Sequence, residues 1–150
     1  MKQLILPILL AFAAGAFVPI QTGANTLLTK GLGNGLLSTL VVFIMASLAT
    51  LAFLFAQRPE LPSIQQAQSI PWYAWTAGGV LGSIYIFILI YTAPKLGMAT
   101  VVGLVVLGQI VMAMAVDHFG WLGLAVHKVN WQRIAGGFLM IIGLLIIKKY

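Results

Sequence analysis

Apolar residues in this chain run in blocks too long for strands and too continuous for the half-polar helices of a water-soluble fold. Five blocks approach or exceed the roughly 20 residues a helix needs to cross a hydrocarbon core about 30 Å thick. They cover residues 4–28, 36–56, 72–91, 97–116 and 131–147. The pattern predicts an all-α membrane protein, with five transmembrane helices in a single domain over residues 1–150. The first block is long enough to tilt or kink, and the last is near the short limit. Polar residues gather between the blocks. QRPELPSIQQAQSIP separates the second from the third, and Pro94 and Lys95 mark a tight turn after the third. The mixed segment DHFGWLGLAVHKVN leads along the interface into the fifth. Lys2 followed by an apolar run and AFAAGA imitates a secretory signal, but the apolar stretch continues past that point and is read as a span.

Composition removes the soluble alternatives. At 61% hydrophobic and 7% charged, with a mean hydropathy of +1.07, the chain lacks the polar residues to cover a globule in water. The formal charge of +6 does not imply nucleic acid, because the eight basic residues flank apolar runs and form no phosphate-tracking stripe. With no cysteine there is no disulfide framework, thiolate metal site or thiol nucleophile. His118 and His127 have no carboxylates at metal-ligand spacing, so no metal site is expected. One aspartate, one loop glutamate and two interfacial histidines supply no base and nucleophile at membrane depth. Neither an enzyme, with catalytic residues, nor a cofactor is expected. KGLGNG at residues 30–35 lacks the lysine and hydroxyl of a phosphate loop and reads as a turn, which removes ATP as an energy source.

An odd number of spans puts the chain ends on opposite sides. Lys2, Arg58, Lys128 and Arg133 then fall on one side and Lys30, Lys95, Lys148 and Lys149 on the other. Orientation follows a bias in lysine and arginine, and four against four is no bias. Either a single charge or an insertion partner selects one orientation, or the chain inserts both ways.

The polar residues inside the spans carry the candidate chemistry. Pro19 removes a helix hydrogen bond and marks a candidate kink on the first span. Just beyond it, Gln21 and Asn25 are spaced i, i+4 on one face, with Thr22 beside Asn25. A carboxamide facing lipid strands two donors and an acceptor, so these groups face protein or a wetted cavity. They serve either as glue between helices or as part of a site. Gln109, after Gly108, lies deep in the fourth span, and Tyr85 reaches comparable depth in the third. Gln21, Asn25, Tyr85 and Gln109 together offer a few neutral hydrogen-bonding groups among apolar walls, as small-molecule sites do. Trp72 and Trp75 read as an interfacial aromatic belt. Asp117, followed by His118, closes the fourth span, and Arg133 opens the fifth on the same side. Asp117 either pairs with Arg133 or stands at the mouth of a pathway, where it and His118 would couple transport to ionisation. Gly78, Gly79 and Gly82 on the third span, and Gly136 and Gly143 on the fifth, have the spacing of close helix contacts.

In this order the motifs resemble the YdcZ-like family of small integral membrane proteins in the drug/metabolite transporter superfamily, over essentially the full length. The resemblance is carried by Pro19-x-Gln21-x-x-x-Asn25, Gly78-Gly79-x-x-Gly82-x-x-Tyr85 and Gly108-Gln109. Asp117-His118-Phe119-Gly120 and Arg133-x-x-Gly136 with Gly143 complete it. It implies a five-helix unit equal to half of a ten-helix transporter with inverted repeats, in a bacterial inner membrane. Such transporters place the substrate between halves of opposite orientation. A chain without charge bias can supply both halves, so an antiparallel, dual-topology homodimer exporting an unknown small molecule through a central cavity is expected. The alternatives are a non-transporting membrane scaffold or accessory subunit, and one half of a heterodimeric transporter. Without a deeply embedded acid, a neutral or weakly polar solute is expected.

Overall fold

A computed structural model describes the backbone of residues 2–149 and the side chains of residues 4–149, so the side chain of Lys2 lies outside the described residues. The described residues are all-helical, without strands: α1 (Lys2–Leu32), α2 (Gly35–Gln57), α3 (Ile64–Gln68), α4 (Trp72–Leu96), α5 (Met98–Phe119) and α6 (Trp131–Lys149). Five of these, all but α3, are long and apolar enough to cross a membrane. Each coincides with one of the apolar blocks. The short α3 forms inside the polar segment, where Ser63 caps the Gln66 amide and the Gln66 side chain returns to the Ser63 amide.

Helix ends depart from the expected boundaries where backbone hydrogen bonding outlasts hydrophobicity. α1 continues through Thr29 and Lys30 and stops at Gly33, whose φ of 67° breaks the helix. Asn34 then starts α2, its side-chain oxygen accepting from the Leu36 and Leu37 amides at 2.9 and 3.0 Å. Pro94 does not end α4 but lies inside its last turn; the break falls at Gly97, with φ 82°. α1 likewise stays a single helix through Pro7 and Pro19.

By internal packing the chain divides into two compact units, one ending at Pro94 and one beginning at Lys95. In the first, α1 and α2 form a helical hairpin along a seam of small polar residues. α4 contributes the buried Leu89, Ile90 and Ala93. A Cβ on Gly35 would lie 3.2 Å from the Phe87 ring, and one on Gly82 would lie 3.3 Å from the Phe43 ring. Aromatic rings thus seat on glycines where α2 and α4 meet.

In the second unit α5 and α6 pack antiparallel. Gly103 lies against Leu144, Gly137 against Met114, and Asp117 against Arg133, so the pairing runs in opposite chain directions. Gly120 ends α5 at φ 62°, followed by a single 3-10 turn at Trp121–Gly123 and an extended return. The His127 amide donates to the Asp117 carbonyl at 2.9 Å, folding this return onto the end of α5.

Small polar residues share the few buried positions with Leu89, Ile90, Ala93 and Val101. The most buried residues include Thr22, Asn25, Ser38, Thr39 and Thr100, while Phe12, Phe17, Phe53 and Phe55 are exposed. In lipid no hydrophobic force drives helices together, so small polar residues fill the contacts and large apolar ones face outward.

Candidate functional site

Three of the four polar candidates stand at the middle of their helices. The midpoint of Leu4–Leu32 is residue 18, that of Trp72–Leu96 is residue 84, and that of Met98–Phe119 falls between 108 and 109. Gln21 is therefore within one turn of a helix centre, and Tyr85 and Gln109 are within one residue. Asn25 lies seven residues past its centre, about 10 Å at 1.5 Å per residue.

Their surroundings separate them. Asn25 is 8% exposed, in a stripe with Thr22 and Thr29. The stripe follows an i, i+3, i+7 spacing. Thr22 donates to the Val18 carbonyl at 2.7 Å and Thr26 to the Thr22 carbonyl at 2.8 Å. Thr29 reaches the Asn25 carbonyl at 2.9 Å and the Ser38 hydroxyl of α2 at 2.8 Å. Gln21 sits about 100° round the helix from Thr22 and is exposed. Sharing an approximate face with Asn25 does not give it the same environment. Gln109 is exposed on α5, and Tyr85 is half-buried on α4.

The first unit has a groove of about 350 Å³ between α2 and α4. Leu40 and Phe43 form one wall and Ile84 and Phe87 the other. Its hydroxyls, Thr39 and Ser83, donate to the Gly35 and Val80 carbonyls of their own helices, which leaves the groove almost wholly apolar. Gln21, Asn25 and Tyr85 are not among its lining residues. Sequence reasoning missed this groove, because Phe43 and Phe87 look like any other lipid-facing aromatics. The Thr29–Ser38 bond was within reach, since Thr22, Asn25 and Thr29 already mark one stripe.

In the second unit Asp117 and Arg133 are paired, Nη1 to Oδ2 at 3.1 Å, each side chain about one-third exposed. Arg133 Nη1 also approaches the His127 carbonyl at 3.5 Å. His118 faces the returning segment instead, with its Nδ1 accepting from the Val129 amide at 3.2 Å. Its ring meets Phe119 edge-on, and Phe119 stacks on Trp121 at 5.2 Å. A cleft of about 350 Å³ runs between α5 and α6 below the ion pair, with Met114 and Met140 among its walls.

The expected packing glycines divide in two. Gly82 touches Phe43, whereas a Cβ on Gly78, Gly79, Gly136 or Gly143 would meet nothing within 4 Å. The closest glycine contact in the second unit is at Gly103, against the Leu144 side chain.

Five helices long and apolar enough to cross a membrane, with large apolar side chains facing outward, define a multi-pass membrane protein. The chain belongs to the family described as "Putative inner membrane exporter, YdcZ", whose sequence model matches residues 6–146. It is accordingly an inner-membrane protein of the YdcZ-like group within the drug/metabolite transporters. No curated protein and no solved structure matches the chain.

Proposed function

We propose that the chain is half of a ten-helix, inverted-repeat small-molecule exporter, completed by a second copy of itself inserted in the opposite orientation. The observation that carries this reading is the position of Gln21 and Gln109, at mid-helix and exposed. Each carboxamide left in hydrocarbon forfeits hydrogen bonds, at a cost of several kcal/mol. A second copy that turns both carboxamides toward a wetted cavity removes that cost. The balanced basic residues support insertion in both orientations. Tyr85 would line the same cavity at mid-depth, with Asn25 nearer its edge and Asp117 and His118 at its mouth. The absence of a deep acid among the described residues favours a neutral or weakly polar solute.

The lack of cysteine makes a direct test available. In an antiparallel pair a mid-depth residue shares the level of its own counterpart, while residues at helix ends lie on opposite membrane faces. Gln21→Cys or Gln109→Cys should be linked across the dimer by a bifunctional thiol reagent long enough to span the cavity, and Gln57→Cys should not. Efficient self-linkage of Gln57→Cys, with none at 21 or 109, would show a parallel arrangement and end this reading.

A further inference from the structure

The cleft between α5 and α6 has an order of chemistry unlike the apolar groove of the first unit. At its mouth stand Asp117 and Arg133, each within one turn of its helix end and so at the level where hydrocarbon gives way to headgroups. Below them come Ile110, Met114 and Met140, with Gly136 leaving an opening. A side chain at Gly136 would meet nothing within 4 Å, so the gap beside it is real space.

The ion pair is incompletely used. It engages one arginine nitrogen, Nη1, and one carboxylate oxygen, Oδ2. Among the described residues, the remaining guanidinium nitrogens and Asp117 Oδ1 have no hydrogen bond. A guanidinium with free donors suits a phosphate, and a carboxylate with a free oxygen suits an ammonium that carries N–H groups. The two charges are adjacent and opposite, so the complementary ligand is a compact zwitterion. Its apolar part must enter a cleft whose methionine walls are flexible enough to follow a hydrocarbon chain.

We propose that this cleft binds a phospholipid whose headgroup carries both a phosphate and a primary ammonium, as phosphatidylethanolamine does. The phosphate lies on Arg133, the ammonium on Asp117, and part of one acyl chain runs between Met114 and Met140 beside Gly136. A choline headgroup lacks N–H donors for Asp117. A glycerol headgroup lacks the cation altogether and sets a net negative charge beside the carboxylate. This site shares Asp117 with the mouth of the proposed mid-depth cavity, but lipid retention reads it separately, so it stands whether or not that cavity transports.

The test is native mass spectrometry of the full chain in detergent, with equimolar phosphatidylethanolamine, phosphatidylcholine and phosphatidylglycerol of identical acyl chains. One bound phosphatidylethanolamine should be retained about tenfold over either competitor, the scale of one charge-assisted hydrogen bond gained or lost. Asp117→Asn should abolish the preference over phosphatidylcholine, and Arg133→Gln should release all three lipids to background. Gly136→Leu, which fills the gap without touching the headgroup partners, should lower retention of phosphatidylethanolamine. Circular dichroism on each variant checks that helix content is kept. Equal retention of the three lipids by the unmodified chain overturns the proposal without any variant. So does a preference that survives Asp117→Asn, or equal competition by water-soluble glycerophosphoethanolamine, which would show that the cleft contributes nothing.

Discussion

Thr29 Oγ1 and Ser38 Oγ are hydrogen-bonded at 2.8 Å across the first helical hairpin, and Ser38 has no exposed surface at all. A hydroxyl carries one proton, so Thr29 cannot give it to both Ser38 and the Asn25 carbonyl 2.9 Å away. A relay satisfies both, with Ser38 donating to Thr29 and Thr29 to the carbonyl. Ser38→Ala should then cost about 0.5–1.5 kcal/mol. Ser38→Leu should cost more, about 1–3 kcal/mol from overpacking, because no space exists beside it. Thermal unfolding of the purified variants, followed by circular dichroism, gives the order; a tolerated leucine would mean that the hairpin is loosely packed.

The exposed carboxamides should behave in the opposite way. Gln21→Leu and Gln109→Leu remove groups with no hydrogen-bond partner among the described residues, so melting temperature should hardly change while solute flux in proteoliposomes is lost. Asn25→Leu forces a larger side chain into a buried stripe and should lower melting and flux together. If melting falls at 21 and 109 while transport persists, the two glutamines are glue between helices.

Glycines at contact and glycines in open space should separate by assay. Gly103→Ala places a Cβ against the flexible end of Leu144, which can turn aside, so protomer stability should change by less than about 1 kcal/mol. Gly103→Leu should lower it by about 1–3 kcal/mol. Gly143→Leu meets nothing within the chain and should leave protomer stability alone. If Gly143 instead marks a contact with a second copy, the leucine should weaken dimerisation by about 1–3 kcal/mol. Dimer affinity in detergent, from dilution series, reads the effect; an unaltered affinity assigns that face to lipid.

Orientation provides the last expectation. A reporter fused to the C-terminus should signal from both membrane faces in one culture, since the basic residues balance four against four. Two or three lysines added beside Arg58 should collapse the signal to one face. A wild-type signal confined to one face would leave the exporter assignment standing but require a differently encoded partner for the second half.

The helices were legible because hydrocarbon imposes a simple condition. Every backbone group must be satisfied within its own segment, so a long apolar block has no alternative to a helix. The same logic made Gln21, Tyr85 and Gln109 stand out, since uncharged hydrogen-bonding groups are conspicuous in such blocks. The pairing of Asp117 with Arg133 was visible as one of two readings. The connecting segment was harder: α3, the turn after Gly120 and the break at Gly97 depend on capping and positive φ, which hydropathy does not register.

Periodicity alone could not say which side of α1 meets α2. Gln21 and Asn25 are one turn apart, yet one is exposed and the other buried, because the partner helix covers an arc set by the approach at Gly33 and Ser38. Nor could it say which glycines touch. Gly35, Gly82 and Gly103 have neighbours against them, and Gly78, Gly136 and Gly143 do not, though all lie in similar apolar surroundings. Sequence by itself determined the number, length and environment of the spans, because transfer into lipid is decided segment by segment. Tertiary structure decided the contacts, because packing between helices in lipid depends on matched shapes and a few hydrogen bonds, and not on how apolar each helix is.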